Sequence, residues 1–472
     1  MRWTARLTIS LALLAAPALA QTPTPSFHLI GHVERFTLDT TAGAIPRAKM
    51  TVRGQEVVLP AGLLITLPGG YATAKQLFRG QTKSGLALID TPPVPFEADI
   101  IGNIVDGRYV AGVARLSQGA LHAGAGFIQE IRPNGELRIG VLGSATSARV
   151  RLNDPTGIYG PKNANRPDIP LDSRFALDAE NAPIHAKTGF PVCIPRGAAA
   201  VFCKDSNRPT GANAMRFTCG AIPSPGVPPL PFCHPDQPVP LRVGDYVTYV
   251  GMLQKAPDGS FIVAAHGLDA EIGVYTSPGS DPAYLFIEDS RQGTLGETFP
   301  AIPSEETTRF RIVGFTTDPT RNVRVEIVDA KANGTERSWD FTGPGGMPPS
   351  NGPALGRFRN TWPAKDDARA VRRDVRVTIV GAQVTMPPNR PTAGQYVAPI
   401  TEYIYPEATA FGLPGYPLPV PFENTCFLAA GGGKVGTLAG NVITPRLDPF
   451  PKSGHDLSQP IGTSTSRACD GQ

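Results

Sequence analysis

The side chains best suited to chemistry in this 472-residue chain are six cysteines, seven histidines and a few acidic pairs. Cys193, Cys203, Cys219 and Cys233 follow one another at C-x9-C-x15-C-x13-C, with His234 directly after the last. A structural zinc site pairs its thiolates at C-x2-4-C, so that one tight turn offers two ligands to one ion. That pair is missing here, as are the C-x-x-C of thiol exchange and the C-x-x-C-H of haem attachment. An even number of cysteines in an exported chain reads as a disulfide framework. Proximity favours two bridges within 193–233 and a third joining Cys426 to Cys469, although spacing alone leaves the connectivity open. His28 and His32 would suit a transition metal, but no HExxH glutamate accompanies them. On a strand, four residues also hold the rings about 13 Å apart. They read as partly exposed strand histidines, and no metal or cofactor is expected.

Nucleophilic chemistry finds no better footing. The strained Gly-x-Ser-x-Gly elbow of serine hydrolases does not occur. The run GGGKVG at 431–436 has Val435 where a phosphate loop needs Ser or Thr. Of the acidic pairs Asp269/Glu271, Glu288/Asp289 and Glu305/Glu306, strand neighbours such as Glu288 and Asp289 point to opposite faces and cannot act as one dyad. Trp339 and Trp362, with Arg357, Arg359, Arg372 and Arg373 nearby, have the chemistry to stack on and pair with a glycan or anionic polymer.

The elements that must carry these residues are strands. Asn134-Gly135, Asp258-Gly259 and Asn333-Gly334 each sit between alternating runs, where a type I′ hairpin turn needs two positive φ angles. Further strands are expected over 49–58, 98–105, 149–152, 309–315 and 375–384, with one short helix near 71–78 and a turn at 365–370. Glycines inside GDYVTYVGML and DVRVTIVGAQV suggest bulges or barrel bends. The expected class is all-β: consecutive small Greek-key barrels of the OB type, or alternatively immunoglobulin-like sandwiches. Composition divides the chain into β units at 27–92, 98–160, 242–297 and 307–386. A Cys/Pro-rich, disulfide-stapled insert occupies 161–240, and an irregular segment, with a glycine-rich run flexible by composition, occupies 387–472.

The first 20 residues combine Arg2 and Arg6, an apolar stretch and a small-x-small Ala18-Leu19-Ala20, the layout of a cleaved signal peptide. No later stretch is long and apolar enough to span a bilayer. A formal net charge of +4, half of it from Arg2 and Arg6, argues against nucleic acid as a partner.

GFPVCIPRG, VGDYVTYVGML, IGVYTSPGSDPAYLFIED and RFRIVGFTTDPTRNV together resemble a group of uncharacterised secreted fungal and bacterial proteins, over roughly residues 90–410. The resemblance implies that the cysteine-rich insert and the β unit after it belong together, and carries over no activity. The expectation is a periplasmic or secreted, non-enzymatic β protein that binds a glycan or envelope component or serves as an envelope or extracellular structural part. The alternative is a secreted hydrolase of polysaccharides or esters with dispersed catalytic residues.

Overall fold

A computed structural model describes residues 24–39, 45–91, 94, 96–117, 122–153, 173–175, 181–197, 201–220, 233–256, 258–293, 309–363, 374–386, 391–404, 419–420 and 422–453. The leader, Glu305, Glu306, residues 365–370, Arg372, Arg373 and Cys469 lie outside them, as does the side chain of Cys426.

The chain opens with β1 (Ser26–Leu38), β2 (Ala48–Val52) and β3 (Gln55–Leu59), an antiparallel meander whose alternate residues Val33, Val52, Val57 and Leu59 are buried. A hairpin of β4 (Leu64–Leu67) and β5 (Gly70–Thr73) leads into α1 (Ala74–Phe78). The helix starts there because Thr73 and Gln76 form a reciprocal capping box. The hairpin β6 (Glu97–Val105) and β7 (Arg108–Leu116) then closes the sheet, with β6 antiparallel to β1 and β7 parallel to β3. Strand order β1-β2-β3-β7-β6, a helix after the third strand and one parallel closure are the connectivity of an OB barrel. Gly102 sits at the register shift that bends β6, where a Cβ would collide with the Val110 carbonyl and the Phe27 ring.

The same plan recurs. In the second barrel β8 (Ala123–Ile131), β9 (Leu137–Gly140) and β10 (Ser147–Leu152) form the meander, turning at Asn134-Gly135. Its next strands come after a long insert. The insert holds β11 (Ile184–Ala186), β12 (Val192–Cys193), β13 (Arg216–Cys219) and β14 (Val239–Pro240). Then β15 (Tyr246–Lys255) and β16 (Phe261–Ala270) complete the barrel, β15 against β8 and β16 parallel to β10. The stretches expected as two units, 98–160 and 242–297, therefore contribute to a single barrel, while β6 and β7 belong to the first. Local patterning misses this because the closing pairs, such as Val150 with Val263, are far apart in sequence. Gly251 marks a β15 bulge, as a mid-strand glycine suggests, whereas Gly381 lies in a turn with φ +78°.

The described residues of the insert form a packed cap. Bonds Cys193–Cys203 and Cys219–Cys233 staple it, and all four cysteines are buried with Phe190, Val192, Ile194 and Leu241. β11 extends the barrel sheet alongside β16, and β13 pairs with β17 (Gly273–Thr276). Arg208 in the insert makes a bidentate pair with Asp245 at 2.6 and 2.8 Å, with side chains only 1 % and 3 % exposed.

A sandwich follows, built from β18 (Leu285–Gly293), β19 (Arg309–Thr316), β20 (Val323–Ala330), β21 (Glu336–Asp340), β22 (Arg357–Pro363), β23 (Asp374–Ile379), β24 (Gln395–Pro399) and β25 (Glu402–Ile404). Sheet β22-β19-β18-β25 packs on sheet β21-β20-β23-β24, with Phe310, Ile312 and Phe358 against Val325, Ile327, Val375 and Val377. In chain order these are the E-B-A and C′-C-F-G sheets of an immunoglobulin-like sandwich, the alternative architecture foreseen for these strands. The last run supplies one strand to each sheet, so β24 and β25 stand inside the segment expected to be irregular.

The rest of that segment returns to the first barrel. Val420, Phe422, Leu428, Leu447 and Phe450 join its core, and the hairpin β26 (Lys434–Thr437) and β27 (Gly440–Ile443) is added beside β5. The glycine-rich run is packed: Gly431, at φ +70°, has Thr444 and Pro445 where a Cβ would go, and Gly433 bridges to Lys331 at the tip of β20. Gly431 thus serves close approach, while Gly432 and Gly440 supply positive φ angles of 78° and 104°. No helix among the described residues is long and apolar enough to cross a membrane.

Candidate functional site: a cleft between the first barrel and the sandwich

On strands, buried and exposed positions alternate. Ile65 and Leu67 of β4 and Ala114 and Leu116 of β7 are buried, while their neighbours Leu64, Thr66, Val113 and Arg115 reach the surface. Tyr71 on β5 and Lys434 on β26 extend the same wall. Facing it across a cavity of about 630 Å³ are Asp374 at the start of β23 and residues 397–401 of the sandwich. The Tyr71 hydroxyl donates to Asp374 Oδ1 at 3.3 Å and so joins the two walls. Phe427 and Leu428 add apolar surface, and Gln76 Nε2 donates to Thr437 Oγ1 at 2.9 Å, fixing one hydroxyl. A cleft of this size, with apolar lining and a few oriented polar groups, is the general form of a small-molecule or oligomer site.

Charge continues from the cleft along the barrel. Arg115 reaches Asp99 at 3.4 Å, and His28 Nε2 meets the other Asp99 oxygen at 2.7 Å. Across β1 and β6, His32 pairs in register with Glu97. Burial, with a smaller contribution from Asp99, holds the Glu97 carboxyl above the ordinary glutamate range against the opposing pull of His32. Burial and then His32 push His122 down.

His28 and His32 are thus surface strand residues, and among the described residues no group of three or more His, Cys, Asp or Glu side chains is placed to hold a metal ion. Asp269 pairs with His185 at 3.0 Å, Glu271 and Glu288 both flank Lys187, and Asp289 holds Arg291 and Arg311. Trp339, on β21, lies 4.3 Å beneath the Arg337 guanidinium. Trp362, on β22 in the other sheet, stacks on Phe310 and touches Phe341, closing the edge of the core. The cleft itself had no sequence signal, because Tyr71 and Asp374 meet across 303 residues.

Fold and site together define a multidomain all-β protein of two OB barrels and an immunoglobulin-like sandwich. Compared with family models, curated proteins and solved structures, the chain matches none.

Proposed function

We propose that this chain is an extracytoplasmic binding protein, periplasmic or secreted, that holds a segment of a glycan or other envelope component in the cleft between the first barrel and the sandwich. The cleft carries the reading: apolar walls for the faces of a ligand, with Tyr71, Asp374, Arg115 and Thr437 as hydrogen-bonding groups around them. The signal-like leader and two buried disulfides support an oxidising compartment. Binding without turnover is the expected behaviour. An array of neutral glycans, followed by titration calorimetry, tests it with Thr66→Trp, which fills the cleft from a partly exposed strand position, and Asp374→Ala. Both variants should fold and lose the ligand that the parent protein captures. A ligand retained by both would remove the cleft from the function, and steady hydrolysis of a glycan or ester that Asp374→Ala abolishes would make the protein an enzyme.

A further inference from the structure

Phe310, Ile312 and Phe358 point into the sandwich core, so the residues alternating with them point out. These are Arg309, Arg311, Val313 and Phe315 on β19, and Arg357, Arg359 and Thr361 on β22. The register shift between Ile287 and Asp289 brings Asp289 and Arg291 of β18 onto the same face, opposite Val313 and Arg311. Five guanidinium groups thus share this face with Asp289 and Glu402. Asp289 holds Arg311 at 2.8 Å and Arg291 at 3.1 Å, and Glu402 holds Arg291 at 3.1 Å. Glu288 is taken by Lys187. Arg359 is exposed and has no partner among the described residues. The Nε atoms of Arg311 and Arg357 are buried without an acceptor.

We propose that this arginine face binds an acidic polysaccharide, a linear sugar chain bearing carboxylate or sulfate groups. Planar guanidinium forks match such groups bidentately. The sheet sets them on a grid about 4.8 Å across strands and about 6.8 Å along them, which suits an extended chain of repeated anions. A lipid surface would call for exposed apolar side chains on the face, but Val313 is buried and Phe315 lies under the Arg357 guanidinium at 6.0 Å. Single-stranded nucleic acid would need open aromatic platforms, and the other ring here, Phe286, is covered by His185 at a centroid distance of 3.8 Å. The proposal rests on the binding role given above and adds to it a second ligand class at a surface apart from the cleft, so each can fail while the other stands.

The test is affinity measurement by biolayer interferometry on the full mature chain, with polygalacturonate and dextran sulfate as acidic probes and neutral dextran as control. Phosphatidylglycerol vesicles and a single-stranded oligonucleotide are run in parallel. Acidic polysaccharide should bind at low salt, weaken steeply as salt rises, and weaken on the order of tenfold for each of Arg359→Ser and Arg311→Ser. Thr66→Trp, in the cleft, should bind it unchanged. Equal binding of neutral dextran, tighter binding of vesicles or oligonucleotide, full affinity in Arg359→Ser/Arg311→Ser, or no binding of either acidic polymer would each overturn the proposal. Unfolding curves of the variants separate lost contacts from lost structure.

Discussion

At the scale of single residues, burial decides what each charge does. Arg208 and Asp245 are almost wholly enclosed, and Asp245 Oδ2 also accepts from the Arg242 backbone N–H at 2.7 Å. Removing one partner of such a pair leaves an uncompensated buried charge. Asp245→Ala should therefore cost about 3–5 kcal/mol in denaturant unfolding, whereas changing both Arg208 and Asp245 to apolar residues should cost less than the single change. His266 behaves oppositely, since it is kept neutral. Burial pushes its pKa from 6.5 down to about 4. In the unfolded chain it takes up its proton near pH 6.5, so its contribution is complete above that value and is lost as pH falls towards about 4. Thermal melts between pH 7 and pH 4 should show that decline, and His266→Gln should make it shallower. A slope identical in the variant would assign the loss to other groups.

Elements show where sequence reading succeeds and where it stops. The three hairpins at Asn134-Gly135, Asp258-Gly259 and Asn333-Gly334 were legible because a turn needs only neighbouring residues. Only the glycine of each pair takes a positive φ, however, so none is the expected type I′ turn. The short helix was legible because Thr73 and Gln76 cap it locally. Barrel closure was not legible, since β3 with β7 and β10 with β16 are parallel pairs joined by long crossovers. The insert misleads for a related reason. Its proline and polar content suggests an irregular segment, yet Phe190, Val192 and Ile194 turn onto one barrel, while Val201, Phe202 and Met215 stay exposed. The cysteine spacing spoke for disulfides, and their loops are short. In the chain-entropy treatment, loops closed over separations of 10 and 14 residues contribute about 3 kcal/mol each. The pair Cys193→Ser/Cys203→Ser should lose roughly that much, read from the shift in unfolding midpoint. At Gly102 even one methyl group must displace Val110 or Phe27, so Gly102→Ala should cost about 1–3 kcal/mol and fall hardest on the first barrel.

On the scale of the whole molecule, the candidate site belongs to no single unit. Its walls come from a barrel finished by residues 420–450 and from a sandwich whose last strands directly precede that return. None of this is written in local periodicity, which is why the site stayed invisible while the fold class did not. Asn103 is the hinge of the closure: its side chain donates to the carbonyls of Val420 and Pro451 and accepts from the Val420 N–H. A chain ending at residue 404 should keep a cooperative sandwich transition and lose the highest-temperature protection of β5 and β6 by hydrogen exchange. Unchanged protection there would mean that the first barrel stands alone.

That closure also orders events in time. A ribosome delivers residues 26–116 long before residues 420–450, so the body begun first is the last to be completed. Until then its edge strand β5 and the apolar surface meant for Phe422 and Phe450 stay open, exposed to any other nascent chain. The protein is its own late-arriving lid, and its most vulnerable interval is the wait between its first barrel and residues 420–450.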